Sequence, residues 1–332
     1  MSPSASEATA AATYPGVVSA DEVVHEAVWR PSWPCPVPQV LRTFRRGSGD
    51  PTYRIDPDRT TWRALRTPQG AVTLAVRPMS GGEVRAAAWG PGAGWALEQL
   101  PEMLGAADDP SGFEPVHPEV ADAWRRFPHW RVPRSGLVMD ALVPAILEQK
   151  VTGQEAFASF RALVRRYGEP APGPEAAERG MLLAPTPATL RTVPSWAWLQ
   201  MHVDHSRSRT LLRAAEVAPA LERLVGVSVE EADRRLRTLP GVGVWTSAEV
   251  RARALGDADA VSFGDYHVAK DIGWALTGRP VDDAQLAVLL EPYRPHRLRV
   301  QVLLALDGQR RPRRGPRMSI PTHLPSGRTV RR

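Results

Sequence analysis

A five-residue turn, LPGVG at Leu239 to Gly243, separates two stretches that otherwise have the helical period. Gly241 and Gly243 permit positive φ and the close approach of another molecule, while Pro240 fixes the direction of the chain. Since the helix predicted from about Val244 begins with unpaired backbone N–H groups, the turn could bind an anion such as a phosphodiester oxygen. An ordinary connection between helices would use the same residue types, so the pentapeptide alone leaves both interpretations open.

Asp265 is the second residue whose setting suggests chemistry. It follows Gly264 and precedes a helical stretch. Its carboxylate is therefore predicted to cap that helix, where the helix dipole keeps it ionised at neutral pH. An ionised carboxylate at a helix start can also stabilise a developing cation and orient a water molecule. From the residue and its neighbours alone, capping and catalysis remain alternatives.

The elements before residue 117 predict an α+β domain. Residues 61–66 and 71–76 alternate as strands do around the turn TPQG, which predicts a hairpin with Val72, Leu74 and Val76 on one face. We also expect a strand within 22–30 and a helix over 92–104, with the turn-rich segment 105–115 closing the unit. These elements predict an antiparallel-sheet domain over residues 14–116, after a disordered leader over 1–13.

Between residues 117 and 307 the pattern is helical. The proline-rich segment 169–190 is predicted to be a connection, and Ser228 and Glu231 form a candidate capping box. Two helices fit within the stretch 135–170. Further helices are predicted at about 206–224, 228–237, 244–254, 265–277, 282–291 and 293–307.

Composition and charge exclude several classes of protein. The apolar content of 43% is that of a globular protein, and the length of 332 residues suggests about two domains. Cys35 is the only cysteine, which excludes an intramolecular disulfide and a four-cysteine iron-sulfur cluster. No apolar run has the length of a membrane span, and the first residues lack the basic and apolar regions of a secretory signal. We therefore expect a cytoplasmic protein without a membrane partner.

The net charge of +6 is concentrated at one end of the chain. Residues 308–332 contain eight arginines and no acidic residue, so the rest of the chain is slightly negative. This tail is predicted to be disordered. It either adds non-specific attraction for phosphate or is simply a solvated basic segment.

The span RTLPGVGVWTSAEVRARALGDADAVSFGDYHVAK resembles the signature of helix-hairpin-helix DNA glycosylases, in which the hairpin and a helix precede a catalytic aspartate. ILEQKVTGQEA (146–156), RSRTLLRAAEVA (207–218) and EPYRPHRLRVQVLLAL (291–306) resemble the 3-methyladenine DNA glycosylase II family, the AlkA type. The resemblance extends over about residues 20–307. It implies an α+β fold: the antiparallel-sheet domain, then an all-α helix-hairpin-helix core of two helical subdomains with the active-site cleft between them.

This resemblance implies a function for the hairpin and for Asp265. The family excises alkylated purines from double-stranded DNA by extruding the base, and Asp265 matches the carboxylate that stabilises the sugar cation and orients the attacking water. Lys150 matches the position of the residue that plugs the gap, often apolar in the family, so it either fills the gap with its aliphatic stem or binds phosphate. The implied DNA contacts come from Leu239, Pro240, Gly241, Val242, Gly243, Thr246, Gln149 and Lys150.

The same resemblance predicts the base pocket and the subclass. Trp245, Tyr266 and His296 match pocket-lining positions, where aromatic faces would stack on a cationic base. His296 replaces a tryptophan of the family and could be charged, which leaves the substrate range open. Trp245 stands where strand-cleaving relatives carry a lysine nucleophile, so we expect base removal without lyase activity.

Further expectations concern cofactors and alternatives. The backbone carbonyls of Arg237, Leu239 and Val242 are implied to bind a monovalent cation, and no other cofactor and no iron-sulfur cluster are expected. The protein is expected to be a monomer. Two alternatives remain: a non-catalytic DNA-binding or damage-sensing protein with the same fold, and a glycosylase for deaminated or oxidised bases.

Overall fold

The computed structural model describes residues 23–312. The predicted leader over 1–13 lies outside these residues, as does the basic tail from residue 313 onward. None of the helices within 23–312 is long and apolar enough to cross a membrane.

An antiparallel sheet forms the N-terminal part of the structure. Its strands, and the helix between the first two of them, are β1 (Val24–Trp29), α1 (Val37–Leu41), β2 (Tyr53–Ile55), β3 (Thr61–Thr67), β4 (Gly70–Pro78) and β5 (Val84–Trp89). The strand order in the sheet is β1-β5-β4-β3-β2. The predicted hairpin is confirmed, since β3 and β4 pair with Leu65 opposite Val72. Val72, Leu74 and Val76 are all fully buried on one face.

Helices α1 and α2 (Ala93–Met103) cover the buried face of the sheet. Val40, Leu41, Leu100 and Met103 are at most 1% exposed there. The segment 105–115, predicted only to close the sheet domain, also binds to the helical part of the chain. Within it, the carboxylate of Asp108 accepts two hydrogen bonds from the fully buried Arg299, at 2.7 and 2.9 Å.

The rest of the described chain is helical apart from one pair of two-residue strands. The proline-rich segment 169–190, predicted to be a connection, contains these strands and two short helices. The elements are α3 (Pro118–Arg126), α4 (Val138–Leu147), α5 (Gly153–Tyr167), β6 (Glu169–Pro170), α6 (Pro174–Glu178), β7 (Leu182–Leu183), α7 (Pro187–Thr192), α8 (Ser195–Gln200), α9 (His205–Glu216), α10 (Ala218–Glu222), α11 (Val229–Leu236), α12 (Val244–Val250), α13 (Val268–Thr277), α14 (Asp283–Leu290) and α15 (Arg297–Leu306).

Proline explains two of the differences in helix boundaries. The single helix predicted over 206–224 is divided into α9 and α10 at Val217, because Pro219 has no N–H to continue the hydrogen-bond ladder. The last helix begins at Arg297 instead of 293, because Pro295 disfavours helical geometry at the residue before it. The capping box at Ser228 is half formed: Ser228 accepts from the Glu231 amide at 3.3 Å, while the Glu231 carboxylate binds Arg234 and Arg235.

The helices divide between two apolar cores, as the predicted pair of helical subdomains requires. One core contains α4, α5 and α7 to α12, with Trp198 and Ile146 near its centre. The other contains α3 and α13 to α15, with Leu286 and Leu303 fully buried. Helix α12 connects the first helical core to the sheet domain, because Val250 belongs to that core while Ala248 packs against the sheet domain.

Candidate active site and nucleic-acid interface

The LPGVG turn joins α11 to α12 and projects from the first helical core. Val242 is only 6% exposed and packs into that core, whereas Pro240, Gly241 and Gly243 are exposed. Helix α12 has no side-chain cap at Gly243. The Ser247 hydroxyl donates to Asp233 Oδ1 at 2.6 Å and fixes α12 against α11. The turn therefore presents backbone groups to solvent on a rigid base.

Glycine occurs at the two positions of the turn for different structural reasons. Gly241 has a φ of +99°, and a Cβ there would collide with the side chain of Thr210 on α9. Gly243 has a φ of −100° and open space where its Cβ would stand, so the turn does not use the positive φ that glycine permits at this position. Because Gly243 has no side chain, the backbone at the start of α12 remains exposed.

This difference gives a test of the turn. Gly241→Ala should destabilise the fold by about 1 to 3 kcal/mol, because the conformation disfavours any Cβ. Gly243→Ala should leave the melting temperature nearly unchanged and weaken binding to duplex DNA by about tenfold, the equivalent of 1.4 kcal/mol. Thermal unfolding and fluorescence anisotropy measure the two effects. Unchanged DNA affinity for folded Gly243→Ala would show that the turn does not approach DNA.

Gln149 ties the end of α4 to the turn. Its Nε2 donates to the Gly241 carbonyl at 2.9 Å and to the Thr246 hydroxyl at 2.8 Å. Three of the predicted DNA-contacting residues thus lie together. The next residue, Lys150, is exposed and has a φ of +54°, a conformation that a lysine rarely adopts. Its backbone is held out from the helix end rather than continuing α4.

Asp265 caps α13, as predicted. Its Oδ1 accepts from the amides of His267 at 2.7 Å and Val268 at 3.0 Å, and the helix accordingly begins at Val268. Gly264, with a φ of +88°, turns the chain before it, and its amide donates to Asp283 at 2.8 Å. Among the described residues, none donates a hydrogen bond to Asp265 Oδ2. One carboxylate oxygen is therefore used by the fold and the other is available.

Two predicted pocket residues adjoin this carboxylate. The Cβ of Trp245 is the nearest atom to the side-chain position of Gly264, and its indole N–H is buried without a hydrogen-bond partner in residues 23–312. Tyr266 is 70% exposed, and the Lys270 ammonium lies 3.7 Å from the centroid of its ring. The exposed aromatic face beside Asp265 thus already holds one cation.

The structure gives the third pocket candidate, His296, different surroundings. It is 7% exposed, and its ring meets the edge of Phe113 with 5.8 Å between centroids. Burial, together with the Arg299 guanidinium, lowers its pKa. His296 is therefore far more buried than Tyr266, and its surroundings disfavour the charged imidazole.

The implied cation site consists of backbone groups only. The Leu239 carbonyl accepts from the Val242 amide at 2.9 Å, while the carbonyls of Arg237 and Val242 accept no hydrogen bond from the described residues. The two uncommitted carbonyl oxygens, those of Arg237 and Val242, fit a hard monovalent cation. Within the described ranges no group of three or more acidic, histidine or cysteine side chains is placed to bind a metal.

A buried charge cluster beneath the site was not predicted from the sequence. Glu249 on α12 accepts from Arg253 at 2.6 Å and from Ser262, just before Asp265, at 2.7 Å. Burial alone would raise the pKa of Glu249, but Arg253 and the Ser262 hydroxyl hold this pKa below its usual value. Arg46 of the sheet domain enters the same cluster, and Glu148 faces it from the end of α4. The sequence contained one indication of this cluster: Glu249 is an acidic residue inside a predicted helix, and its neighbours in the chain are small and apolar.

A cavity of about 480 Å³ lies elsewhere, between β3, α4, α7 and α10. Leu137, Val143, Phe160 and Leu190 are among its apolar lining residues. None of the predicted site residues lines it. The candidate site beside the hairpin is therefore separate from this cavity.

The chain is similar to several known proteins, although no family model matches it. The chain is 28% identical over 206 residues to a Mycobacterium tuberculosis protein described as a probable bifunctional transcriptional activator/DNA repair enzyme AlkA. The match covers 60% of this chain and 37% of that protein, so the chain corresponds to little more than a third of the length of this relative.

Two solved structures share the architecture. The 3-methyladenine DNA-glycosylase from Archaeoglobus fulgidus superposes with a TM-score of 0.70 at 16% identity, covering 85% of this chain and 98% of that one. The 8-oxoguanine glycosylase/lyase of Clostridium acetobutylicum, solved with double-stranded DNA, gives a TM-score of 0.64 at 12% identity, with coverage of 85% and 96%. The α+β fold expected from the sequence is confirmed, and so is the resemblance to AlkA-type proteins.

Proposed function

We propose that this chain, an AlkA-type homologue with the helix-hairpin-helix glycosylase fold, is a DNA N-glycosylase that excises alkylated purines. Its substrate would be double-stranded DNA containing a base such as 3-methyladenine, extruded from the helix. The observation that carries the proposal is the arrangement around Gly264. There, Trp245 from the hairpin helix lies against the turn that presents Asp265 and the exposed ring of Tyr266.

The free oxygen of Asp265 accounts for the chemistry. As the N-glycosidic bond lengthens, positive charge develops on the sugar, and a fixed carboxylate stabilises that charge without reorganisation. The same oxygen can accept a proton from the water that attacks C1′. The amides of His267 and Val268 fix the other oxygen, so the orientation of the carboxylate is set before DNA binds.

Recognition of a cationic base would use the face of Tyr266. Because the Lys270 ammonium already occupies a position over this ring, the face attracts positive charge. An alkylated purine would have to displace Lys270 to stack there. Such bases leave readily because they already carry a positive charge, so an electrostatic site with little acid catalysis is sufficient for them.

The grip on DNA would come from the turn and from Gln149. Exposed backbone groups at Gly241 and Gly243 would approach a phosphate, and Gln149 keeps α4 in register with them. The carbonyls of Arg237, Leu239 and Val242 would hold a monovalent cation that bridges to the same phosphate. We propose no lyase activity, since Trp245 replaces the amine nucleophile of strand-cleaving relatives.

A panel of duplexes tests the substrate class. We expect the protein to release 3-methyladenine and to leave the resulting abasic strand intact. Chromatography detects the free base, and electrophoresis with a borohydride trap detects strand cleavage through a Schiff base. Strand cleavage with a trapped covalent complex would contradict the absence of lyase activity. Release of only oxidised bases would contradict the proposed specificity.

Lys150 allows a test of base extrusion. We propose that its aliphatic stem fills the gap left by the extruded base, since its backbone is held out from α4 at a φ of +54°. Lys150→Gly should be at least as stable as the wild type, because glycine adopts this conformation without strain. It should release bases from duplex DNA at least tenfold more slowly, since extrusion costs roughly a few kcal/mol.

Lys150→Met is the matched control, because it keeps the stem and removes the charge. It should retain activity on duplex DNA, and both variants should act normally on single-stranded DNA, where no gap needs filling. Equal losses for both variants, together with a weaker dependence of binding on salt, would instead assign Lys150 to phosphate binding.

A further inference from the structure

Glu148 is a carboxylic acid beside the candidate site that the proposed mechanism leaves unused. It ends α4 and directly precedes Gln149, which binds the hairpin. Its side chain is 20% exposed, so one edge remains open while the rest is enclosed by protein. A glutamate is costly to bury, and at the last turn of a helix the dipole opposes its negative charge. The position therefore calls for a reason other than packing.

Charged groups from four other elements face Glu148. Arg46 comes from the sheet domain, with 3.9 Å between its Nε and Glu148 Oε1, and Arg253 comes from the π-helical segment Arg251–Leu255 that continues α12. Glu249 on α12 and Asp265 before α13 supply negative charge. Burial first, and then these two carboxylates, raise the pKa of Glu148 despite the opposing effect of Arg46 and Arg253.

The arginines do not satisfy the Glu148 carboxyl. Arg253 is committed to Glu249 at 2.6 Å, and Arg46 stays beyond hydrogen-bond distance. Among residues 23–312, none donates a hydrogen bond to this carboxyl. Glu222, another buried acid with a raised pKa, differs in this respect: its two oxygens accept from the amides of Val138 and Met139 at 2.8 and 2.9 Å.

We propose that Glu148 is a general acid that protonates the extruded base as it leaves, a role that matters most for neutral damaged purines. The inference rests on the proposed glycosylase function and assigns a second carboxyl to it. Two carboxyl groups in different environments then have different roles: Asp265 stabilises the sugar cation, and Glu148 donates a proton to the base. Cationic bases need no such proton, whereas neutral ones do.

The step balances without a further reactant. The Glu148 carboxyl gives its proton to a ring nitrogen of the base while the bond between C1′ and the base breaks, and the bonding electron pair leaves with the base. The sugar cation is stabilised by Asp265. Water then adds its oxygen to C1′, and its proton passes to Asp265 and, through solvent, restores Glu148.

The experiment compares Glu148→Gln with the wild type on two duplexes, one containing hypoxanthine as a neutral lesion and one containing 3-methyladenine as a cationic one. We expect Glu148→Gln to slow hypoxanthine release by about 10²- to 10⁴-fold, the usual contribution of a general acid. Release of 3-methyladenine should fall by a far smaller factor. Glu98→Gln, an exposed substitution on α2, is the matched control and should change neither rate.

The pH dependence of the two release rates in the wild type provides a second test, which does not require a folded variant. Only the protonated carboxyl can donate, so the ratio of hypoxanthine to 3-methyladenine release should fall as pH rises through the pKa of Glu148. Equal effects of Glu148→Gln on both lesions, a pH-independent ratio, or no hypoxanthine release by the wild type would each overturn the inference. Failure of the wild type to release either base would instead overturn the proposed glycosylase function.

Discussion

Asp265→Asn should slow base release by orders of magnitude while leaving the protein folded. Loss of the negative charge removes the stabilisation of the sugar cation and the proton acceptor for water, which together predict a decrease of about 10² to 10⁴ in the single-turnover rate. Asparagine is an equally good capping residue, so its side-chain oxygen should still accept from the amides of His267 and Val268. Binding to damaged duplex DNA should persist.

Asp282→Asn is the matched control. Asp282 caps α14 by accepting from the Gln285 amide at 2.8 Å, so it has the same helix-capping chemistry without a place at the candidate site. Its substitution should change neither base release nor melting temperature appreciably. If Asp265→Asn and Asp282→Asn had equal activity, Asp265 would be a capping residue only.

Glu249→Ala should destabilise the protein by about 3 to 5 kcal/mol, the usual result of removing one partner from a buried ion pair. The substitution leaves the guanidinium of Arg253 without its carboxylate and frees the hydroxyl of Ser262. Because Ser262 lies three residues before Asp265, the loop that carries Asp265 should loosen as well. Urea unfolding measures the first effect, and base release below the unfolding transition measures the second.

Glu291→Ala is the control for the charge. Glu291 pairs with Arg294 at 2.9 Å on the surface, where a salt bridge contributes less than about 1 kcal/mol. The pH dependence provides a further check. Since the pKa of Glu249 is lower in the folded protein, its stabilisation is present where the unfolded glutamate is ionised and is lost as pH falls through the folded value. Wild type and Glu249→Ala should therefore converge at acid pH.

Much of the fold could be predicted from local patterns. The hairpin of β3 and β4 follows from strict alternation around a glycine turn, and the helices follow from their apolar period and capping residues. The loop before α13 was also predictable, because Gly264 and Asp265 together specify a turn and a cap. Strand β5 was not identified, since its alanine-rich sequence lacks the large alternating residues that mark β4.

The candidate site was predictable where side chains or backbone act locally and not where distant elements meet. Asp265, Tyr266 and the turn lie close in the chain, and the resemblance covers all of them. The environment of His296 depends on Phe113, more than 180 residues earlier, so its burial could not be inferred from YRPHR. Glu148 acquires its significance from Arg46, Arg253 and Asp265, which only the tertiary structure brings together.

Release of free base from methylated duplex DNA by the full-length wild-type protein tests the central claim most directly. In single-turnover conditions, chromatography should show 3-methyladenine in solution and electrophoresis should show an unbroken strand that becomes labile to alkali at the abasic position. Tight binding of the same duplex without any free base would contradict the account and identify a damage-binding protein instead.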